Sequence, residues 1–397
     1  MNHAARLGLP LFVVAVLIGC SGSDDNKTAD GGSGRLDQRA DAGSSNGASS
    51  SGSSGSSTSS SGAGQGAGDE SGSSGSSSGS GGSGTDGGGT SDATTGPSGD
   101  AGPSDGGGSG RKFVGNISTN GAIRSDFVTY WSEFTPENEG KWGSVEATQG
   151  TFAWGPLDTE YQYTQAHGIV FKEHNFIWGS QQPSWVANLS SSAATAAVKT
   201  WMQGLCARYP NVKLIDVVNE PPPHTTPPYA SLIGGAGSSG YDWIVNAFTW
   251  ARAACPGATL IMNDYNNIEY QDQHDQFIAI VKAIKAAGAP IDAVGAQAYA
   301  AYMLSTSAVQ TLLDSLAAET GLPVYITEYD INLADDDQQS QVMQSQFTMF
   351  WNDPNVKGIT LWGYVEGATW ETNTGLMTSS GTMRPAMTWL TNFLKTH

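Results

Sequence analysis

Eight short apolar runs, separated by segments of helix length, constrain this chain more than any other feature of its sequence. The runs fall at 112–116, 133–135, 169–174, 212–218, 259–263, 291–296, 323–327 and 357–362. Several are near-continuous stretches of Val, Ile, Leu and Phe, the pattern of strands buried on both faces. Segments 156–167, 192–209, 241–254, 272–287, 305–319, 338–351 and 384–395 have helix length. Val198, Met202 and Leu205 repeat near helical spacing, and Gly168, Gly288 and Gly321 stand just past helix ends. Eight strands alternating with helices favour a closed (β/α)8 barrel, the TIM-barrel architecture of the α/β class, over an open doubly wound sheet.

The alternation occupies only residues 111–397, a length that suits one barrel domain of about 250 residues. Residues 21–110 are almost wholly Ser, Gly, Ala, Thr and Asp, with no aromatic side chain. Such a segment cannot bury enough surface to offset its ordering entropy and reads as a flexible tether. The formal charge of −19, with Lys+Arg 18 against Asp+Glu 37 and no basic cluster, excludes nucleic acid and anionic membrane surfaces as expected partners.

The first residues carry their own signal. A short polar start with Arg6 precedes an apolar stretch at 7–18, too short to span a bilayer and shaped like a signal peptide. It ends in Leu17-Ile18-Gly19-Cys20, which resembles the bacterial lipobox, whose Cys is lipidated and becomes the first mature residue. The expectation is a leader at 1–20, lipidation of Cys20, and an exported protein held at a membrane or cell surface by that lipid alone. Ordinary secretion is the alternative. Cys206 and Cys255 remain, late in two helices expected to be neighbours. Export permits a disulfide between them, and two separate buried thiols fit equally well. Two Cys without nearby His make no metal site, and no phosphate loop or dinucleotide fingerprint is visible, so no cofactor is expected.

Two strands end in glutamate. The run Asp216-Val217-Val218-Asn219-Glu220 stops at Pro221-Pro222-Pro223, which cannot continue a sheet. Val324-Tyr325-Ile326-Thr327 stops at Glu328-Tyr329-Asp330. Barrels keep their chemistry at the C-terminal ends of their strands. Two strand-terminal glutamates facing one cleft are the minimum equipment for glycoside hydrolysis. Asn219 and Asp330 stand beside them, and Glu137, Asn138, His174, Asn263, Tyr265, Gln297, Tyr299 and Trp362 stand at other strand ends. Any one of these alone reads as an ordinary loop residue; the whole ring fits a sugar.

These residues belong to motifs that resemble glycoside hydrolase family 10, the endo-β-1,4-xylanases, over residues 112–397. The motifs are Thr135-Pro136-Glu137-Asn138-Glu139-Gly140-Lys141-Trp142, His174-Asn175-Phe176-Ile177-Trp178-Gly179-Ser180-Gln181, Asp216 to Glu220, Asn263-Asp264-Tyr265-Asn266, Gly295-Ala296-Gln297-Ala298-Tyr299, Ile326-Thr327-Glu328-Tyr329-Asp330 and Thr360-Leu361-Trp362-Gly363. All seven keep the family's order. The resemblance implies a retaining mechanism with Glu220 as acid/base and Glu328 as nucleophile. It implies that Asn219 bonds the sugar 2-hydroxyl and that Glu137, Asn138, Lys141, His174, Trp178 and Gln181 line the glycone subsites. Gln297 and Tyr299 join the substrate contacts, Trp362 and Trp370 flank the sugar, and Asp330 supports the nucleophile strand. Trp142, Trp201 and Trp250 read instead as barrel core.

Two positions depart from the family pattern. Gly179 stands where the family usually has a second His, and Tyr299 where it has the His bonded to the nucleophile. The expectation is that Tyr299 serves as a neutral donor to Glu328, since a phenol carries no positive charge near neutrality. Gly179 is expected to open space near Glu220. Segment 221–240, rich in Pro and then Gly and Ser, also departs from the pattern on the expected leaving-group side. The implied activity is cleavage of internal β-1,4 bonds in xylan by a single copy of the chain. A β-1,4-glucan or a decorated xylan is the alternative substrate, and a barrel that binds glycans without cutting them is the alternative class.

Overall fold

Strand β1 (Phe113–Ile117) pairs in parallel with both β2 (Glu133–Thr135) and β8 (Val356–Leu361). Strands β3 (Val170–Trp178), β4 (Leu214–Asn219), β5 (Thr259–Asp264), β6 (Ala293–Ala296) and β7 (Val324–Tyr329) complete a closed barrel in chain order. The computed structural model describes residues 112–397. The leader at 1–20, Cys20 and the tether at 21–110 lie outside the described residues. Each expected strand is present, and all six residues of β4 and of β7 are buried, as continuous apolar runs require.

Helices α1 (Phe127–Tyr130) and α2 (Trp142–Val145) are single turns, followed by α3 (Gly155–His167), α4 (Ser191–Arg208), α5 (Asp242–Ala254), α6 (Gln271–Ala286) and α7 (Thr306–Thr320). Next come α8 (Asp336–Val342), α9 (Thr348–Asn352) and α10 (Pro385–Leu394), with a π-helical turn at Met343–Phe347 joining α8 to α9. Ser190 and Ser305 cap α4 and α7 through their hydroxyls, and Gly168 and Gly321 end α3 and α7 with φ of 64° and 63°. Cys206 of α4 and Cys255 at the end of α5 are joined as a disulfide with Cα atoms 5.6 Å apart, which selects the bridged alternative.

The barrel interior is layered. Leu214, Ile261, Ala293 and Tyr325 form an apolar floor with Phe113 and Val170 against it. Above it the filling turns polar. Glu133 accepts from Thr135 Oγ1 at 2.6 Å and from Thr360 Oγ1 at 2.8 Å, and Gly115 leaves it room, because a Cβ there would overlap the carboxylate. Lys172 and Asp216 form an ion pair at 2.6 Å, both fully buried. Outside the strands, Trp142 and Trp201 are buried as expected. Trp250 is a correction of degree: it packs against the core from α5 but is only half-buried, with Lys199 Nζ of α4 4.9 Å above its ring. A near-parallel ring stack runs inward from the surface through Phe152, Trp154, Trp201 and Trp142. Successive centroids are 5.3, 5.7 and 6.1 Å apart with interplanar angles of 3°, 11° and 7°. Together these rings contribute far more buried apolar area than any aliphatic pair.

Candidate active site

Glu220 is the first residue past β4, and it adopts φ 49°, a left-handed conformation that costs a non-glycine residue about 1 kcal/mol or more. Its backbone is held on both sides. The Glu220 N–H donates to the Asn263 carbonyl at 2.8 Å. Its own carbonyl accepts from Thr225 Oγ1 at 2.6 Å and Thr225 N–H at 3.1 Å. The turn aims the carboxyl into the strand-end cleft, where Trp178 Nε1 donates to Oε2 at 2.8 Å and Gln297 Nε2 to Oε1 at 3.4 Å. Burial raises the Glu220 pKa above the usual carboxylate range; the Trp178 bond opposes this and the nearby Asp264 adds to it.

Glu328 lies on β7 and is almost fully buried. Its Oε1 accepts from Asn263 Nδ2 at 2.7 Å and its Oε2 from Tyr299 Oη at 2.5 Å, the donor expected there. Burial raises its pKa too, against the charges of His174 and Lys172 and the Tyr299 bond. Asn263 is itself oriented by Thr327 Oγ1, which donates to its side-chain Oδ1 at 2.6 Å, and Gly295 leaves space for that oxygen. The same Asn263 amide donates to Asn219 Oδ1 at 2.8 Å, and Gln297 Nε2 also reaches that oxygen at 3.3 Å. One set of side-chain amides therefore links the two carboxyls across the rim.

Beneath them, Asp216 Oδ2 accepts from His174 Nδ1 at 2.9 Å and pairs with Lys172. Burial pushes the Asp216 carboxyl up, but Lys172 and His174 overcome it and hold the group below its ordinary range. Burial pushes His174 down. Trp362 packs edge-on against its ring at 5.3 Å. On one side of the cleft, Asn138 Oδ1 accepts from Lys141 Nζ at 3.0 Å and Gln181 Nε2 at 3.2 Å, with Lys141 5.0 Å from the Trp178 ring. Glu137 precedes them on the same segment after β2. On the other side, Trp370 is exposed, packs 4.9 Å from Tyr299 and donates to Asp330 at 2.9 Å. Burial pushes Asp330 up to about 8.

The space expected at Gly179 is absent. A Cβ at that position would come within 2.5 Å of Thr225 Cβ and 2.9 Å of the Thr226 nitrogen. Segment 221–240 folds back over the end of β3, and Thr225 Oγ1 accepts the Gly179 N–H at 3.2 Å. Asp264 and His224 are among the residues at the site that had no role assigned from sequence. Asp264 ends β5, and His224 reaches it from the Pro-rich segment with Nδ1 2.7 Å from Oδ1. A histidine four residues past a strand-terminal glutamate was the available signal.

The arrangement offers two buried carboxyls on one rim, a set of amide donors between them, and indoles at both sides. That equipment suits general acid/base and nucleophilic work on a polyhydroxylated substrate. The profile of glycosyl hydrolase family 10 matches residues 109–392. Endo-1,4-beta-xylanase B of Cellvibrio japonicus is 48% identical over 283 residues, covering 71% of this chain and 46% of the relative. This chain thus spans less than half of that protein's length. Endo-1,4-beta-xylanase C of Phanerodontia chrysosporium is 31% identical over 286 residues, 68% of each chain. Among solved structures, a psychrophilic glycoside hydrolase family 10 endo-beta-1,4-xylanase superposes with TM-score 0.63 at 25% identity, covering 71% of this chain and 97% of that one. The xylobiose complex of xylanase 10B from Thermotoga petrophila RKU-1 gives TM-score 0.63 at 22% identity, with 72% and 94% covered.

Proposed function

The chain belongs to glycosyl hydrolase family 10, and from that premise we propose that it cleaves internal β-1,4-xylosidic bonds of xylan with retention of configuration. The observation that carries the reading is the amide set joining Glu220 to Glu328 across the strand ends. Glu328 attacks the anomeric carbon and forms a covalent glycosyl-enzyme, while Glu220 gives its proton to the departing glycosidic oxygen. Glu220 then takes a proton from water, which attacks the same carbon and frees Glu328. Burial of Glu220 favours its protonated form at rest, as the first step needs. Tyr299 and Asn263 donate to Glu328 and favour the ionised form that attacks. Asn219 bonds the 2-hydroxyl. Glu137, Asn138, Lys141, His174, Trp178, Gln181 and Gln297 bind the glycone side, between Trp362 and Trp370.

Thr225 occupies the space that Gly179 would otherwise leave, which removes one reason to expect a bulkier hexose beside Glu220. The leader and Cys20 support a protein held at a membrane by lipid, with residues 21–110 as tether. Labelled palmitate should enter the parent and not Cys20→Ala. The pair is drawn from one chain, which fits a monomer. The catalytic reading is tested by reducing-sugar release from xylan, arabinoxylan and carboxymethylcellulose, with Glu328→Ala and Glu220→Ala alongside. Xylan should be cut by the parent and by neither variant at a comparable rate. Full activity in Glu328→Ala, or preference for carboxymethylcellulose, overturns it.

A further inference from the structure

His224 holds two acceptors at once. Its Nδ1 lies 2.7 Å from Asp264 Oδ1 and its Nε2 2.7 Å from Gln273 Oε1. The Gln273 atom also accepts from Asn266 Nδ2 at 2.9 Å, consistent with its being the oxygen. A neutral imidazole has only one N–H, so with Asp264 ionised both contacts are satisfied only by the imidazolium. The ring lies flat on Tyr265, with centroids 3.8 Å apart and planes at 11°, a further seat for a cation. The next residue, Thr225, grips the Glu220 carbonyl and the Gly179 amide, so the cation is tied to the turn that aims Glu220. Asp264 follows Asn263, whose carbonyl receives the Glu220 N–H.

We infer that His224 is a positioning residue for Glu220: as an imidazolium bound to Asp264, it cancels the negative charge beside the acid/base, so that Glu220 gives up its proton in the first step and stands ionised to take one from water in the second. The inference rests on the reading of Glu220 as the acid/base. The charged and titratable groups around the pair are Glu220 after β4, Asp264 and Tyr265 at the end of β5, and Glu328 on β7, with Gln273 and Asn266 neutral. Burial opposes charge on His224, but its bonds to Asp264 and Gln273 outweigh that and raise its pKa. Burial pushes Asp264 up to about 6, with His224 opposing. Asp264 raises Glu220 and His224 lowers it. Without the imidazolium, Glu220 would hold its proton more tightly through both steps.

The test compares His224→Gln, which keeps a donor but no charge, with His224→Lys, which restores charge. The basic limb of kcat/KM on a xylo-oligosaccharide should move up by about one pH unit in His224→Gln. The acidic limb of kcat on 2,4-dinitrophenyl β-xylobioside should rise with it, and both limbs should return toward the parent in His224→Lys. A purely structural role would lower rates and melting temperature without moving either limb, and that result overturns the inference. Glu220→Ala is assayed on the dinitrophenyl substrate with azide. Formation of a β-xylobiosyl azide keeps the acid/base reading standing even if His224 fails; no azide product sinks both.

Discussion

Tyr299 Oη donates to Glu328 Oε2 at 2.5 Å, on the opposite oxygen from the Asn263 amide. The phenol is partly buried and its pKa is raised well above the ordinary value, by desolvation first and then by the neighbouring carboxylates, so it stays a neutral donor. A hydrogen bond to a charged group is worth about 1.5–3 kcal/mol. Tyr299→Phe should therefore raise the Glu328 pKa, move the acidic limb of kcat/KM upward, and lower kcat/KM near pH 6 about tenfold or more. Unchanged turnover and an unmoved limb would remove Tyr299 from the mechanism.

Gly179 and Thr225 share one volume. Gly179→Ala should displace the turn that carries Thr225 and His224, at a cost of about 1–3 kcal/mol in stability. Thr225→Gly on that background should recover part of the loss, because the nearest obstructing atom is gone. Urea unfolding of the two single variants and the double variant measures the coupling. A stable, fully active Gly179→Ala would contradict the packing.

Glu160 on α3 is buried, with neither carboxylate oxygen met by a donor. Burial, and then the charges of Glu139 and Glu173, push it up to about 10. Its unfolded value is about 4.3. A carboxyl whose folded pKa is raised stabilises fully below the unfolded value, and that share is lost as pH climbs toward the folded one. Glu160→Gln should match the parent near pH 4.5 and exceed it at pH 8 by on the order of 3 kcal/mol. Urea midpoints at the two pH values decide the matter, and equal midpoints at pH 8 would refute it.

The Cys206–Cys255 bridge spans a sequence separation of 49. Closing a loop of that length removes unfolded-state entropy worth about 2–4 kcal/mol. The double Cys→Ala variant should melt roughly 5–10 °C lower while keeping its rate at 25 °C. A parent treated with reductant should follow it in a thermal scan. Identical melting temperatures would show that the bridge adds nothing.

The barrel strands were legible because several, β4 and β7 above all, are apolar runs buried on both faces, and the paired glutamates because each ends such a run. Strand β3 continues to Trp178, past the polar His174-Asn175 where an apolar reading stops, because its polar side chains meet partners such as Asp216 inside the barrel. The four-residue helices α1 and α2 are too short to display a period. Segment 338–351 reads as one helix, while its π-turn depends on packing that no local pattern reveals. The filling of the Gly179 position was hidden for a related reason. Thr225 is distant from Gly179 in sequence, and Pro, Gly and Ser do not announce where a loop will fold back. Trp250 packs against the core as read but is only half-buried, because a large ring at a helix flank can be covered by a lysine stem instead of by further core.

The inward stack of Phe152, Trp154, Trp201 and Trp142 gives the molecule a built-in optical gauge. Indoles held nearly parallel at these separations share their excited states, so their near-ultraviolet dichroism depends on mutual orientation rather than on each ring alone. Because Trp201 Nε1 is fastened to the Phe176 carbonyl of β3 at 3.1 Å, any loosening of that stave against α4 dims a collective signal. The chain can report the closure of its own scaffold without an added label.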